Sequence, residues 1–138
     1  MTYFGEIAAA QSGARAESRV AATLSALPPP WQSFPTIEWR HLEHHGESVG
    51  EADMVVFHPH HGLIVFEIKA GAVHVQDGQW FYASGLAMKQ SPFAQARRNR
   101  YALIDKLRQR LGRDAADALA VTHAVWFPDV LWKGSVPG

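Results

Sequence analysis

The chain contains no cysteine. That excludes a disulfide framework and any thiolate metal site, and it fits a reducing, cytoplasmic setting. No apolar run approaches the roughly 18–20 residues of a membrane span, so no membrane partner is expected. Met1 to Glu6 show no basic region leading into an apolar stretch, so no secretory leader is expected. There is no internal repeat and no low-complexity tract. There is no Gly-x-x-x-x-Gly-Lys-Ser/Thr sequence to cradle a nucleoside triphosphate. Net charge is also missing, with 13 Lys+Arg against 13 Asp+Glu. As an average, that argues against a strongly basic nucleic-acid binder.

What is there suits one globular domain spanning 1–138. The chain has 138 residues, 47% of them hydrophobic, enough for a core without staples. The neutral average hides a split. From Arg15 to Lys69 there are four basic and seven acidic residues. From Lys89 to Arg113 there are eight basic residues and one acidic, Asp105. An acidic half feeding a basic segment is more specific than neutrality.

Periodicity and punctuation divide the chain. Ala16, Val20, Leu24 and Leu27 recur at helical spacing and predict a helix over 14–27, stopped by Pro28-Pro29-Pro30. Phe34–Leu42 alternates like a strand, and His44–Gly50 is turn-like. Ala52–Phe57 and Leu63–Lys69 are short, β-branched and aromatic, which predicts two strands joined by the loop 58–62. Asp77-Gly78 between Val73–Gln76 and Gln79–Ala83 signals a small hairpin. Ser91-Pro92 opens a second helix, with Phe93, Ala96, Leu103, Leu107 and Leu111 as its apolar stripe and Gly112 as its end. Leu119–Phe127 is a last strand, closed by Pro128. The order predicts an α/β layer fold with the second and third strands central.

The third strand is apolar almost throughout, yet it carries Glu67 and Lys69 near its end. Two residues apart on a strand, they share a face. If the loop 58–62 closes a hairpin, Phe57 pairs with Leu63, Val55 with Val65, and Asp53 with Glu67. The register that stacks the apolar pairs then sets two carboxylates opposite each other, their Cβ atoms about 4.5–5.5 Å apart. Such a pair is destabilising unless a proton or cation lies between. Mg²⁺ or Mn²⁺, hard ions with oxygen ligands, suit it. Lys69 could neutralise the pair, orient an attacking water or stabilise charge on a phosphate. The bland alternative is a solvated E-x-K pair.

Asp53…Glu67-Ile68-Lys69, behind a helix carrying Glu17, resembles the PD-(D/E)XK nuclease core, and more narrowly the NERD (nuclease-related) domain. The matching stretches are Ala16-Glu17-Ser18-Arg19-Val20, Gly50 to Val56, Gly62 to Lys69, Asp77-Gly78-Gln79-Trp80 and Pro92-Phe93-Ala94-Gln95-Ala96, spread over roughly 14–129. Ala52 stands where the superfamily pattern has proline. The resemblance implies a restriction-endonuclease-like core: a central mixed β-sheet flanked by helices in αβββαβ order, with an extra hairpin. It implies a metal-dependent deoxyribonuclease. Asp53, Glu67 and the backbone carbonyl of Ile68 would hold the metal, and Lys69 would position the water. Glu17 would lie near the metal, and Gln95 would reach the site from the second helix. It also implies a helicase-like ATPase in a longer chain, of which these residues would be the N-terminal part.

Other signals carry two readings. His58, His60 and His61 suggest zinc, but they match no helical H-E-x-x-H spacing and are expected in an exposed loop. Arg97, Arg98 and Arg100 form either a solvated face or a sequence-independent contact to DNA phosphates. The five tryptophans are expected mostly in packing, with Trp80 and Tyr82 the candidates for base stacking. Three functions follow: a metal-dependent nuclease, a nuclease-like module that binds nucleic acid without cutting, and a regulatory module of a larger protein.

Overall fold

The computed structural model describes residues 15–38 and 51–132. In chain order these form helix α1 (15–25), strands β1 (Gln32–Glu38), β2 (Glu51–His58) and β3 (Gly62–Ile68), and the hairpin β4 (His74–Gln76) and β5 (Gln79–Phe81). Helix α2 (Pro92–Leu111), a short helix α3 (Arg113–Asp117) and strand β6 (Val121–Trp126) complete the fold. One mixed sheet runs β1-β2-β3-β6. Its first two pairings are antiparallel and β3–β6 is parallel. The fold is α/β with β2 and β3 central, as the apolar runs imply. No helix among the described residues is long and apolar enough to cross a membrane.

Strand alternation sorts the core into two layers. Val55, Leu63, Val65 and Val121 pack against Ala102 and Leu103 of α2. Their neighbours Met54, Val56 and Ile68 point the other way, onto Ala16 and Val20 of α1. Both faces of β3 are thus covered, which is why it tolerates so little polarity. Each such aliphatic side chain contributes about 1.5–3 kcal/mol on burial. A third cluster joins the hairpin to the end of the chain, with Val73, Trp80 and Met88 buried against Phe93, Phe127 and Trp132.

Turn chemistry sets the edges. Asp77 and Gly78 have φ of 51° and 77°, the two positive values of a hairpin turn that twists with its strands. Gly62 has φ +87°, and a Cβ there would lie 2.0 Å from the Ala120 carbonyl oxygen. The absent side chain lets the start of β3 approach the start of β6, where Leu63 N–H donates to that same oxygen at 2.8 Å.

Several expected boundaries move. α1 ends at residue 25 rather than 27, although Leu27 still packs beneath the sheet. β1 begins at Gln32, two residues early. The expected strand residues 39–42 and the turn at 44–50 lie outside the described residues. Leu111, expected on the α2 stripe, is 52% exposed, because the buried face runs through Ala96, Asn99, Ala102 and Leu103. α3 was not expected. It lies in the charged stretch after Gly112, where Asp117 pairs with Arg108 at 2.8 Å.

Candidate active site

The β2–β3 ladder has the register that the apolar pattern demands: Phe57 opposite Leu63, Val55 opposite Val65, Met54 opposite Phe66. One step further, Asp53 faces Glu67 on the side covered by α2, and their carboxyl groups hydrogen bond to each other. Asp53 Oδ2 also accepts the Ile68 amide at 2.8 Å. Glu67 is 2% exposed, and α2 reaches it from above: Asn99 Nδ2 donates to Glu67 Oε2 at 3.3 Å. Lys69 Nζ lies 3.3 Å from Glu67 Oε1 and donates to Gln95 Oε1 at 3.2 Å.

The electrostatics follow from burial. Desolvation raises both carboxyl groups above their ordinary range. For Glu67 the Asp53 charge adds to it, so Glu67 is pushed up to about 8 despite Lys69. Asp53 rises too, opposed by the Ile68 amide and by Lys69. Burial and the repulsion between the two groups both favour a proton or a cation at this pair.

Asp53, Glu67, Lys69 and Gln95 thus come together on one face. Glu17 stands on α1, whose Ala16 and Val20 pack on the opposite face of the sheet. Among the described residues no three His, Asp or Glu side chains form a group able to hold a metal ion. Of Ile68, the amide is the group seen at the site.

Asn99, which donates to Glu67, is a residue of the candidate site that the sequence pattern did not single out. Its signal was present: a polar residue between Ala96 and Leu103, interrupting the apolar stripe four positions after Gln95. His123 of β6 pairs with Val65 of β3 and so faces α2, where burial and then Arg100 and Arg97 push it below its ordinary range. Arg97 and Arg98 are exposed, while Arg100 is half-buried with its guanidinium 5.6 Å from the Tyr101 ring centre.

Two expectations are corrected. His58 is buried rather than in an exposed loop, since it ends β2 with Trp31 edge-on at 4.6 Å and its Nδ1 accepting the His60 amide at 3.0 Å. His60 and His61 are exposed. Trp80 is unable to stack on a base, being 3% exposed and stacked on Phe127 at 5.5 Å. Tyr82 remains accessible, 38% exposed, with its ring centre 5.8 Å from Lys69 Nζ.

A four-stranded mixed sheet between helices, with an acidic pair and a lysine at the end of its central strands, defines a restriction-endonuclease-like fold of the PD-(D/E)XK class. The profile of the nuclease-related domain, NERD, matches residues 12–128, and the chain belongs to that family. No similar curated protein and no similar solved structure was found.

Proposed function

We propose that this domain is a metal-dependent nuclease hydrolysing DNA phosphodiester bonds. The observation that carries this reading is the Asp53–Glu67 pair, Glu67 buried and Asp53 half-buried, with Lys69 beside it. Two hard oxygen donors side by side, whose mutual repulsion and burial favour a proton or cation between them, fit Mg²⁺ or Mn²⁺, because a cation relieves the same repulsion. Asp53, Glu67 and the Ile68 carbonyl would hold the ion. Once bound, it would supply Lewis-acid stabilisation of the charge that grows on the phosphate and the leaving oxygen.

The chain's own residues do the rest. The Lys69 ammonium donates a hydrogen bond to the attacking water, turning its lone pair toward phosphorus and offsetting the phosphate charge. As the new P–O bond forms and the bond to the leaving oxygen breaks, the water's proton passes to solvent and the leaving oxygen takes one from solvent. Gln95 fixes the ammonium and Asn99 fixes the Glu67 carboxyl, so both are positioning residues. Arg97, Arg98 and Arg100 hold the DNA backbone without reading bases.

A second reading, a module that binds nucleic acid without cutting, is favoured by one observation. Among the described residues no third acidic or histidine side chain completes a metal group with the pair. Incubation with plasmid and linear DNA in Mg²⁺, Mn²⁺ or chelator separates the two. Cutting that needs metal and stops in chelator supports the nuclease. Binding without cutting under every metal supports the module.

A further inference from the structure

The turn after β5 and the first turn of α2 enclose a cleft of about 320 Å³, lined by Tyr82, Leu86, Ala87, Lys89, Gln90 and Gln95. It adjoins the candidate site, because Gln95 binds the Lys69 ammonium and the Tyr82 ring lies 5.8 Å from the same nitrogen.

The wall bearing Tyr82 is braced. Tyr82 N–H donates to Leu86 O, Gly85 N–H to Tyr82 O and Met88 N–H to Trp80 O, each at 2.9 Å. Trp80 and Met88 anchor that wall in the third core cluster. Yet Tyr82 is 38% and Leu86 54% exposed. An aromatic ring and an aliphatic side chain left outside the core, on a turn too well bonded to collapse, present a firm apolar face. The polar lining is the Tyr82 hydroxyl, one lysine and two amides, with no acid. Apolar surface with a cation suits a flat group attached to an anion.

We propose that this cleft takes one unpaired nucleotide of a DNA strand, its base flat on Tyr82 and against Leu86, its phosphate at Lys89. The substrate is then single-stranded or frayed DNA. This rests on the nuclease reading of Asp53, Glu67 and Lys69. A base within a duplex has both faces covered by its neighbours, so only an unstacked base offers a face to a tyrosine. The volume suits one nucleotide and is too small for a duplex.

The test is fluorescence anisotropy with a labelled thymidine oligonucleotide and a duplex of the same length, in chelator so that neither is cut. Tyr82→Ala should weaken single-strand binding by roughly 5- to 100-fold, the worth of one base–aromatic stack, and leave duplex binding unchanged. Tyr82→Phe keeps the ring and should bind as the wild type does. Leu86→Asp, at a side chain 54% exposed, should weaken single-strand binding by putting a carboxylate in the cleft. Lys89→Ala should shallow the single-strand salt dependence by about 0.7 in log–log slope. Single-strand affinity indifferent to Tyr82→Ala and Leu86→Asp, or equal losses for strand and duplex, would overturn the cleft alone when the wild type still cuts DNA with metal. A wild type that neither binds nor cuts any DNA overturns the nuclease reading, and the cleft with it.

Discussion

Asn99 Nδ2 donates to Glu67 Oε2 at 3.3 Å across the interface between α2 and β3, and both residues are 2% exposed. A buried carboxyl that loses a buried donor has no water to replace it. Asn99→Ala should therefore destabilise the chain by about 1–3 kcal/mol, read from the denaturant midpoint. Asn99→Asp is the more informative change. It sets a third carboxyl beside two that already repel each other, so in chelator it should be less stable than Asn99→Ala. Mn²⁺ should then raise its midpoint more than it raises that of the wild type. An equal shift in both would mean that the cation does not go to the pair.

The proton on Glu67 makes stability depend on pH. Its folded value is pushed up to about 8, against an ordinary 4.5. Between those values the folded chain keeps a proton that the unfolded chain has released. The contribution is full below about pH 4.5 and is lost as pH rises through about 8, with a slope no steeper than about 1.4 kcal/mol per pH unit. His123 acts in the opposite sense. Its folded value is depressed, so its effect falls on the acid side of the ordinary histidine range. Thermal unfolding in chelator from pH 7 to 8 therefore reports Glu67. The midpoint should fall over that interval in the wild type and stay level in Glu67→Gln. A level wild-type profile would mean that Glu67 is ionised throughout.

Gly62 and Gly78 both have positive φ, of +87° and +77°, but only Gly62 faces a close neighbour. Gly78→Ala meets open space and should cost about 1–2 kcal/mol, the left-handed backbone strain alone. Gly62→Ala adds a clash with the Ala120 carbonyl oxygen and disturbs the bond from Leu63 N–H. It should cost about 1–2 kcal/mol more than Gly78→Ala. Equal losses at the two sites would show that β3 and β6 can separate at this end without cost.

Much of this architecture was legible because strand alternation is rigid. Once Val55 and Val65 pair, as they do, alternation puts Asp53 and Glu67 on the same face one step further along. The hairpin was equally plain from Asp77-Gly78. Helix ends were less so: Leu27 packs on the core from beyond the end of α1, so apolar spacing overran the helix. Tertiary partners were hidden. Nothing in a single chain says that Asn99 stands over Glu67, that His58 packs under Trp31, or that Trp80 spends its face on Phe127. The position of α1 on the opposite face comes from packing rather than from motif spacing.

Arg97 and Arg98 are exposed, whereas Arg100 has a buried Nε and Arg108 is paired with Asp117. The first two can be removed without disturbing the core. Arg97→Ala with Arg98→Ala should weaken duplex DNA binding alike for all sequences. The double change should shallow the salt dependence of log K by about 0.9 for each phosphate that is no longer neutralised. Arg108→Ala is the control, since its charge is already held by Asp117, and its slope should move less. A double variant with the wild-type slope would make this face a solvated one.

Asp53 and Lys69 flank Glu67 with opposite charge, so they can be separated as ligand and catalyst. Asp53→Asn keeps the side-chain shape, removes an anion and leaves a weaker neutral oxygen. Mn²⁺ affinity should fall, and cutting with it. Lys69→Met keeps the aliphatic stem and removes the ammonium. The carboxyl groups then lose a competing cation, so Mn²⁺ affinity should hold or rise while cutting is abolished. Gln95→Leu leaves Lys69 charged but without its second anchor, and should lower the cutting rate with less effect on metal affinity than Asp53→Asn. Isothermal titration with Mn²⁺ beside a plasmid-nicking assay reads both quantities for each variant. Wild-type cutting by Lys69→Met would reduce Lys69 to a structural counter-ion. Normal Mn²⁺ binding by Asp53→Asn would move the metal away from the Asp53–Glu67 pair and dissolve the site.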